Sequence, residues 1–180
     1  KIPTRGIRAI TTADVEAAEN LGCVIKLIAW MKRGKDGSVA AGVEPCLVPK
    51  ANQLASVDDV FNAVLVKGDM LGDVVFYGKG AGELPTASAC VADVIECLQE
   101  ERHRPEIGWS ADTGGFASPL TLKNRWYFRV GTDTLPEALH SAKVLEQDTE
   151  TAFITPPITG TDAERLAAYL PTLAKMRVLD

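Results

Sequence analysis

The stretch VIKLIAWMKRGKDGSVAAGVEPCLVP, residues 24–49, decides the fold. Ile25, Leu27, Ala29 and Met31 recur at every second position, the period of a strand and not of a helix. Between Lys35 and Ser38 lies an Asp-Gly pair, which tight hairpin turns favour because glycine takes positive φ without strain. Val39 to Pro49 then returns as a second strand, with Pro45 expected at a bulge or an edge because proline has no N–H for a ladder. The chain is thus expected to build on an antiparallel hairpin.

Upstream, Thr11 and Asp14 have the spacing of a capping box and Gly22 supplies a left-handed stop, so a helix is predicted from about Thr12 to Leu21. Downstream, FNAVLVKG (61–68) and GDVVFYG (72–78) read as two more strands joined at Gly68-Asp69. A glycine-rich turn, GKGAG (78–82), leads into a helix expected to begin near Thr86. Its Ala87, Val91, Val94 and Leu98 repeat at helical spacing, which predicts one buried face. Residues 1–99 therefore read as an α+β unit, with helices packed on one face of a mainly antiparallel sheet.

Residues 100–124 carry charges, Gly-Gly and two prolines without a period, and read as a linker. Order resumes in 125–180: a strand at RWYFRV (125–130), a helix at PEALHSAKVLE (136–146), a strand at TAFIT (151–155), and a strand at MRVLD. A helix over AERLAAYL is opened by a capping box of Thr161 and Glu164. This β-α-β-α-β order predicts a small, reduced ferredoxin-like unit that lacks a strand before TAFIT.

Composition narrows the function. A formal charge of -5, without a basic stripe, speaks against phosphate-backbone recognition and so against nucleic acid. No apolar run approaches the ~20 residues of a membrane span, and no signal-peptide pattern opens the chain. Cys23, Cys46, Cys90 and Cys97 form no C-x-x-C pair and lie in apolar segments, so buried reduced thiols are expected, with no metal, in a cytoplasmic setting.

Only FYGKGAGELPTASA (76–89) asks for a ligand. Glycines let backbone approach a bound group, and the following helix start offers unpaired N–H groups to a phosphate, a carboxylate or a cofactor amide. A tight strand-to-helix connection accounts for the same glycines without any ligand. His103 and His140 read as surface residues, Asp58-Asp59 as a turn acid pair, Lys26 and Lys32 as solvent-facing, and Trp30 and Trp126 as core anchors. No Ser/His/Asp or Cys/His set has a workable layout.

TRGIRAITTADVEAAENLGCVIKLIA (4–29), PCLVPKANQLASVDDVFNAVLVKGDMLGDVVFYGKGAG (45–82) and GKGAGELPTASACVADV (78–94) together resemble the substrate and dimerisation domain of homoserine dehydrogenase. The resemblance implies an oxidoreductase interconverting L-homoserine and L-aspartate 4-semialdehyde with NADP(H) or NAD(H), in threonine, methionine and isoleucine biosynthesis. It implies a homodimer acting on that small-molecule substrate. It also implies catalytic groups and a dinucleotide-binding domain upstream of Lys1, so that this chain alone is expected to be inactive. In such enzymes the last glycine of the loop approaches the cofactor. The matching position is Gly82, with Gly80 and Ala81 beside it. Residues 125–180 resemble, more loosely, an ACT-type regulatory domain. Effector-binding members usually have glycine after the proline, and here Glu137 stands there, so a packing or oligomerisation role stands beside effector binding. A free-standing amino-acid-sensing or dimerisation module without catalysis is the alternative for the chain as a whole.

Overall fold

A computed structural model of the chain describes residues 2–99, 108, 115–131, 143–147 and 150–179. Its elements in order are α1 (Thr12–Asn20), β1 (Cys23–Arg33), β2 (Val39–Pro49), β3 (Phe61–Gly68), β4 (Gly72–Lys79) and α2 (Glu83–Leu98). There follow β5 (Lys123–Asn124), β6 (Trp126–Val130), β7 (Lys143–Gln147), β8 (Glu150–Ile154), β9 (Ile158–Thr159), α3 (Gly160–Tyr169) and β10 (Thr172–Val178). The class is α+β, as the sequence predicts.

The chain divides into two compact units: Lys1–Ala55 with Thr113–Asp180, and Ser56–Asp112. This replaces the division at 99 and 124. The reason is one sheet of six strands, ordered β1-β2-β10-β6-β8-β7, which draws on both sides of the expected linker. Arg177 and Val178 of β10 pair in parallel with Cys46 and Leu47 of β2, so the C-terminal residues complete the sheet begun by the first hairpin. Most of residues 100–124 lie outside those described.

That hairpin forms as expected, in a register from Cys23 opposite Pro49 to Arg33 opposite Val39. Pro45 makes no bulge in that register, and on its N–H side it stands at a local edge of the sheet. The Val43 N–H points away from β1, to Pro3 O at 3.0 Å, so two residues on Pro45 faces the same side. On that side β10 begins only at Cys46, and the missing N–H deprives no ladder partner.

Within this unit α1 and α3 pack on opposite faces of the six-stranded sheet. On the first face Ala17 and Ala18 from α1 and Leu21, which caps it, pack with Cys23, Leu47, Tyr127, Ile154, Met176 and Val178. On the other, Ala163 and Leu170 pack with Trp126, Phe128, Val130 and Phe153. The alternation along β6 sends Phe128 one way and Tyr127 the other, which is why one strand serves two cores.

The strand thought to be missing exists. KVLEQ, read as the end of a helix, is β7, paired antiparallel to β8 from Lys143 opposite Ile154 to Gln147 opposite Glu150. Leu145 meets the first core from this strand, so cross-strand packing overrode helical spacing. The order β10-β6-β8-β7, with every neighbour antiparallel, is that of a ferredoxin-like sheet. The rest of the expected helix, 136–142, with Glu137 and His140, lies outside the described residues, as does His103.

The α3 cap is also corrected. Thr159, not Thr161, precedes the helix: its hydroxyl accepts from Asp162 N at 3.1 Å and donates to Asp162 Oδ2 at 2.6 Å. The Thr161 hydroxyl donates instead to Leu120 O at 3.4 Å, and Glu164 pairs with Lys175 Nζ at 2.6 Å. At α1 the expected capping box stands, with the Thr11 N–H and hydroxyl donating to Asp14 Oδ2 at 3.0 and 2.9 Å.

Two buried ion clusters tie the early and late segments together. Asp14 is fully buried and accepts from Arg129 Nε at 2.8 Å, and Arg129 reaches Glu150 at 2.6 Å. Burial pushes the Asp14 carboxyl up, but hydrogen bonds from Arg129 and Thr11 outweigh it and hold the group below its ordinary range. Beside β2, Glu44 accepts from Arg177 Nε at 2.8 Å and from Trp30 Nε1 at 3.0 Å, and it pairs with Arg5. The Arg177 guanidinium lies 4.4 Å from the Trp30 ring centroid and 5.0 Å from that of Trp126. Trp126 is a buried anchor as expected; Trp30 is half-buried.

Candidate site at the glycine loop

The second unit contains the β3–β4 hairpin, the glycine loop and α2. Residues pair from Phe61 opposite Lys79 to Gly68 opposite Gly72. One face carries Phe61, Ala63 and Leu65 opposite Lys79, Tyr77 and Val75. The other carries Asn62, Val64 and Val66 opposite Gly78, Phe76 and Val74. Phe61 and Tyr77 stack with centroids 4.9 Å apart, and Lys79 Nζ lies 5.9 Å from the Phe61 centroid. Asp59 enters the hairpin with φ at 54°, a left-handed turn conformation that aspartate tolerates, in keeping with the turn role expected for Asp58-Asp59.

From Lys79 the chain passes through Gly80 and Ala81 to Gly82, which caps α2. The helix starts at Glu83, three residues before the expected Thr86. Thr86 lies one turn in: its N–H and its hydroxyl both donate to Gly82 O, at 3.2 and 2.8 Å. Proline at 85 fits because the third position of a helix has no carbonyl to reach.

The glycines are required for different reasons. Gly82 has φ at 114°, where a side chain is strained, and a Cβ there meets Pro85 Cδ at 3.4 Å. Gly80 lacks positive φ, but a Cβ on it overlaps Asn62 Nδ2 and lies 2.8 Å from Asn62 Cγ. Gly78 has nothing within 4 Å of its Cβ position. The structure thus brings Gly80, Ala81 and Gly82 together as one exposed lip at a helix start. Sequence reading passed over Asn62, which is legible once the hairpin register sets it opposite Gly78.

The start of α2 sets the charge at the lip. The amides of Glu83 and Leu84, in the first helical turn, have no acceptor within the helix and lie at the positive end of its dipole. Glu83 also brings a carboxylate into that turn. The dipole and amides favour an anion and the carboxylate opposes one, so the two act in opposite senses at this corner. The space a Cβ would take at Gly80 is filled by the Asn62 amide and that at Gly82 lies against Pro85, so what the lip offers a ligand is its exposed backbone.

The helix itself differs from expectation in one respect. The periodic apolar residues form a face, but no residue of α2 is buried in this chain: Val91, Val94 and Leu98 are 56%, 57% and 82% exposed. Cys90 and Cys97, on the same helix, are exposed and outside any disulfide, whereas Cys23 and Cys46 are buried as expected. Among the described residues no group of three or more histidine, cysteine, aspartate or glutamate side chains converges as metal ligands, and no helix is long and apolar enough to cross a membrane.

Comparison with known proteins bears on the same residues. The family model described as homoserine dehydrogenase matches residues 1–95, which include the whole glycine loop and most of α2. A homoserine dehydrogenase of Lactococcus lactis is 38% identical over 136 residues, 73% of this chain and 31% of that protein. One from Synechocystis is 48% identical over 100 residues, 54% of this chain and 23% of that protein. In three dimensions a homoserine dehydrogenase of S. aureus matches with a TM-score of 0.76 at 29% identity, covering 99% of this chain and 47% of the other. One from Thiobacillus denitrificans matches with a TM-score of 0.76 at 26% identity. The chain therefore spans about a third or less of these two curated relatives and about half of the solved ones.

Proposed function

The chain belongs to the homoserine dehydrogenase family, and from that premise we propose that it is the substrate and dimerisation part of an enzyme interconverting L-homoserine and L-aspartate 4-semialdehyde with NADP(H) or NAD(H). The lip at Gly80, Ala81 and Gly82 receives the nicotinamide end of the cofactor. The observation that carries this is Gly82: its φ of 114° turns the strand into the α2 start and leaves bare backbone where a planar ring can lie. When bound, the nicotinamide supplies hydride transfer. The loop's own part is to orient the ring through backbone contact and to exclude water from that side.

The test is Gly82→Ala in the intact dehydrogenase, with Gly22→Ala as a control. Gly22 also has positive φ, 74°, and nothing within 4 Å of its Cβ position, so it shows what a milder left-handed strain does at a glycine that is not part of the loop. Cofactor affinity, read by titration of nicotinamide fluorescence, is expected to fall about tenfold for Gly82→Ala. It should hold for the Gly22 variant. Equal affinity in both variants, each folded, removes the assignment of the loop.

A homodimer is part of the same proposal. Among the described strands β1 is a sheet edge of 11 residues, and its Leu27 and Met31 are 52% and 73% exposed. A long apolar edge is what folded proteins protect by pairing. Light scattering should give twice the monomer mass, and Leu27→Lys with Met31→Lys should shift it toward monomer. A monomeric wild type refutes this part.

A further inference from the structure

We propose that Asn62 is a positioning residue for the cofactor lip, its carboxamide setting how closely the Gly78–Gly82 backbone presents itself to the nicotinamide. The inference deepens the reading of the loop and rests on it.

The argument starts from register. Asn62 stands opposite Gly78, so Gly80, two residues on, falls on the same side of the hairpin. The Asn62 amide occupies the volume that a Cβ on Gly80 needs: Cγ lies 2.8 Å and Cβ 3.3 Å from that point. Because Gly80 has no positive φ, its lack of a side chain is explained by space and not by dihedral angle. Gly82 is the reverse case. One glycine exists so that the backbone can turn, and its neighbour so that an amide can lie against the backbone.

The rest of this face is apolar and open to solvent: Val64, Val66 and Phe76 are 60%, 47% and 65% exposed. Asn62 is its one hydrogen-bonding side chain, and it sits at the loop end. An amide carries two N–H donors and one acceptor oxygen. One donor reaches Val60 O at 3.4 Å, which ties the side chain back to the start of β3. An anchored amide on the flank of Gly80 limits how far the lip can flex, and ring orientation at the lip depends on that limit.

Three variants of the intact enzyme separate this from simple packing. Asn62→Ala removes the amide. Gly80→Ala displaces it, since the overlapping atoms are the tip of a flexible side chain. Asn62→Ala with Gly80→Ala does both. Each single change is expected to raise the cofactor Kd and KM about tenfold through loss of that restraint. The KM for homoserine at saturating cofactor and the melting temperature should change little. The double variant should bind no worse than the weaker single one, because both changes remove the same restraint. Asn62→Ser, read in the same way, serves if Asn62→Ala does not fold. Unchanged cofactor affinity in Asn62→Ala, or full additivity in the double variant, overturns the role of Asn62. If Gly82→Ala still weakens binding in that case, the lip reading stands without Asn62; if Gly82→Ala is also silent, the lip reading itself has failed.

Discussion

Replacing Arg129 by methionine keeps the length of the side chain and removes its guanidinium. In the folded chain Arg129 Nε donates to Asp14 Oδ1 at 2.8 Å, one terminal nitrogen donates to Glu150 at 2.6 Å, and the other donates to the Thr11 hydroxyl at 3.1 Å. Asp14 is 0% exposed, so the variant strands a carboxylate away from water with only Thr11 and the Tyr127 hydroxyl, at 3.4 Å, as partners. Removing one partner of a buried pair costs about 3–5 kcal/mol. An exposed pair such as Lys50 with Glu19, 53% and 73% exposed, supplies the contrast, and Lys50→Met should cost less than about 1 kcal/mol. The assay is urea unfolding followed by tryptophan fluorescence. With a slope of about 2 kcal/mol per M, the midpoint of Arg129→Met should fall by roughly 1.5–2.5 M at neutral pH. The effect has a pH signature. The Asp14 carboxyl in the folded wild type titrates below its ordinary 3.8, so its stabilisation is present above that value and is lost as pH falls through the folded pKa. In the variant the burial that opposes ionisation goes unanswered, and protonation relieves it. The gap between wild type and variant should therefore be widest above about pH 5 and narrow below 3.8. A loss under about 1 kcal/mol at neutral pH, or a gap that does not change with acid, refutes the claim that this pair couples α1 to β6.

Two further outcomes are expected. Thr159→Ala should cost about 1 kcal/mol through loss of the α3 cap, and Thr161→Ala distinctly less, a difference that thermal melts resolve; equal losses contradict the corrected cap. In the isolated chain a maleimide should label Cys90 and Cys97 rapidly and Cys23 and Cys46 only on unfolding, as counted by mass spectrometry. Burial, with Glu44 adding to it, pushes the Cys46 thiol up to about 12, which leaves almost no thiolate to react near neutrality. Fast labelling of Cys46 in the folded chain contradicts its placement.

Elements whose signals are local were legible in the sequence. The hairpin of β1 and β2 follows from two-residue periodicity and an Asp-Gly turn, and α1 from a capping box whose atoms all lie within four residues. The strands flanking Gly68-Asp69 and the glycine run leading into α2 are equally local. At the lip, Gly80, Ala81 and Gly82 were visible as a motif, and the resemblance of 4–98 to homoserine dehydrogenase rests on the same stretches. Asn62 was not visible in that way, because its relation to Gly80 spans 18 positions and needs the β3–β4 register to appear.

What tertiary structure decided is everything that depends on which distant surfaces meet. KVLEQ continues a helical spacing, yet it pairs with β8 because a strand there completes an antiparallel sheet and brings Leu145 to the core. The boundaries at 99 and 124 dissolved because β10 reaches back to Cys46 and Leu47, and because Arg129 and Arg177 find Asp14 and Glu44 more than a hundred residues away. Periodicity announces that a face is apolar, as in α2, but not what covers it. Local hydrogen bonds and dihedral preferences are written residue by residue, whereas burial and buried charge pairing exist only between segments, and only the folded chain brings those segments together.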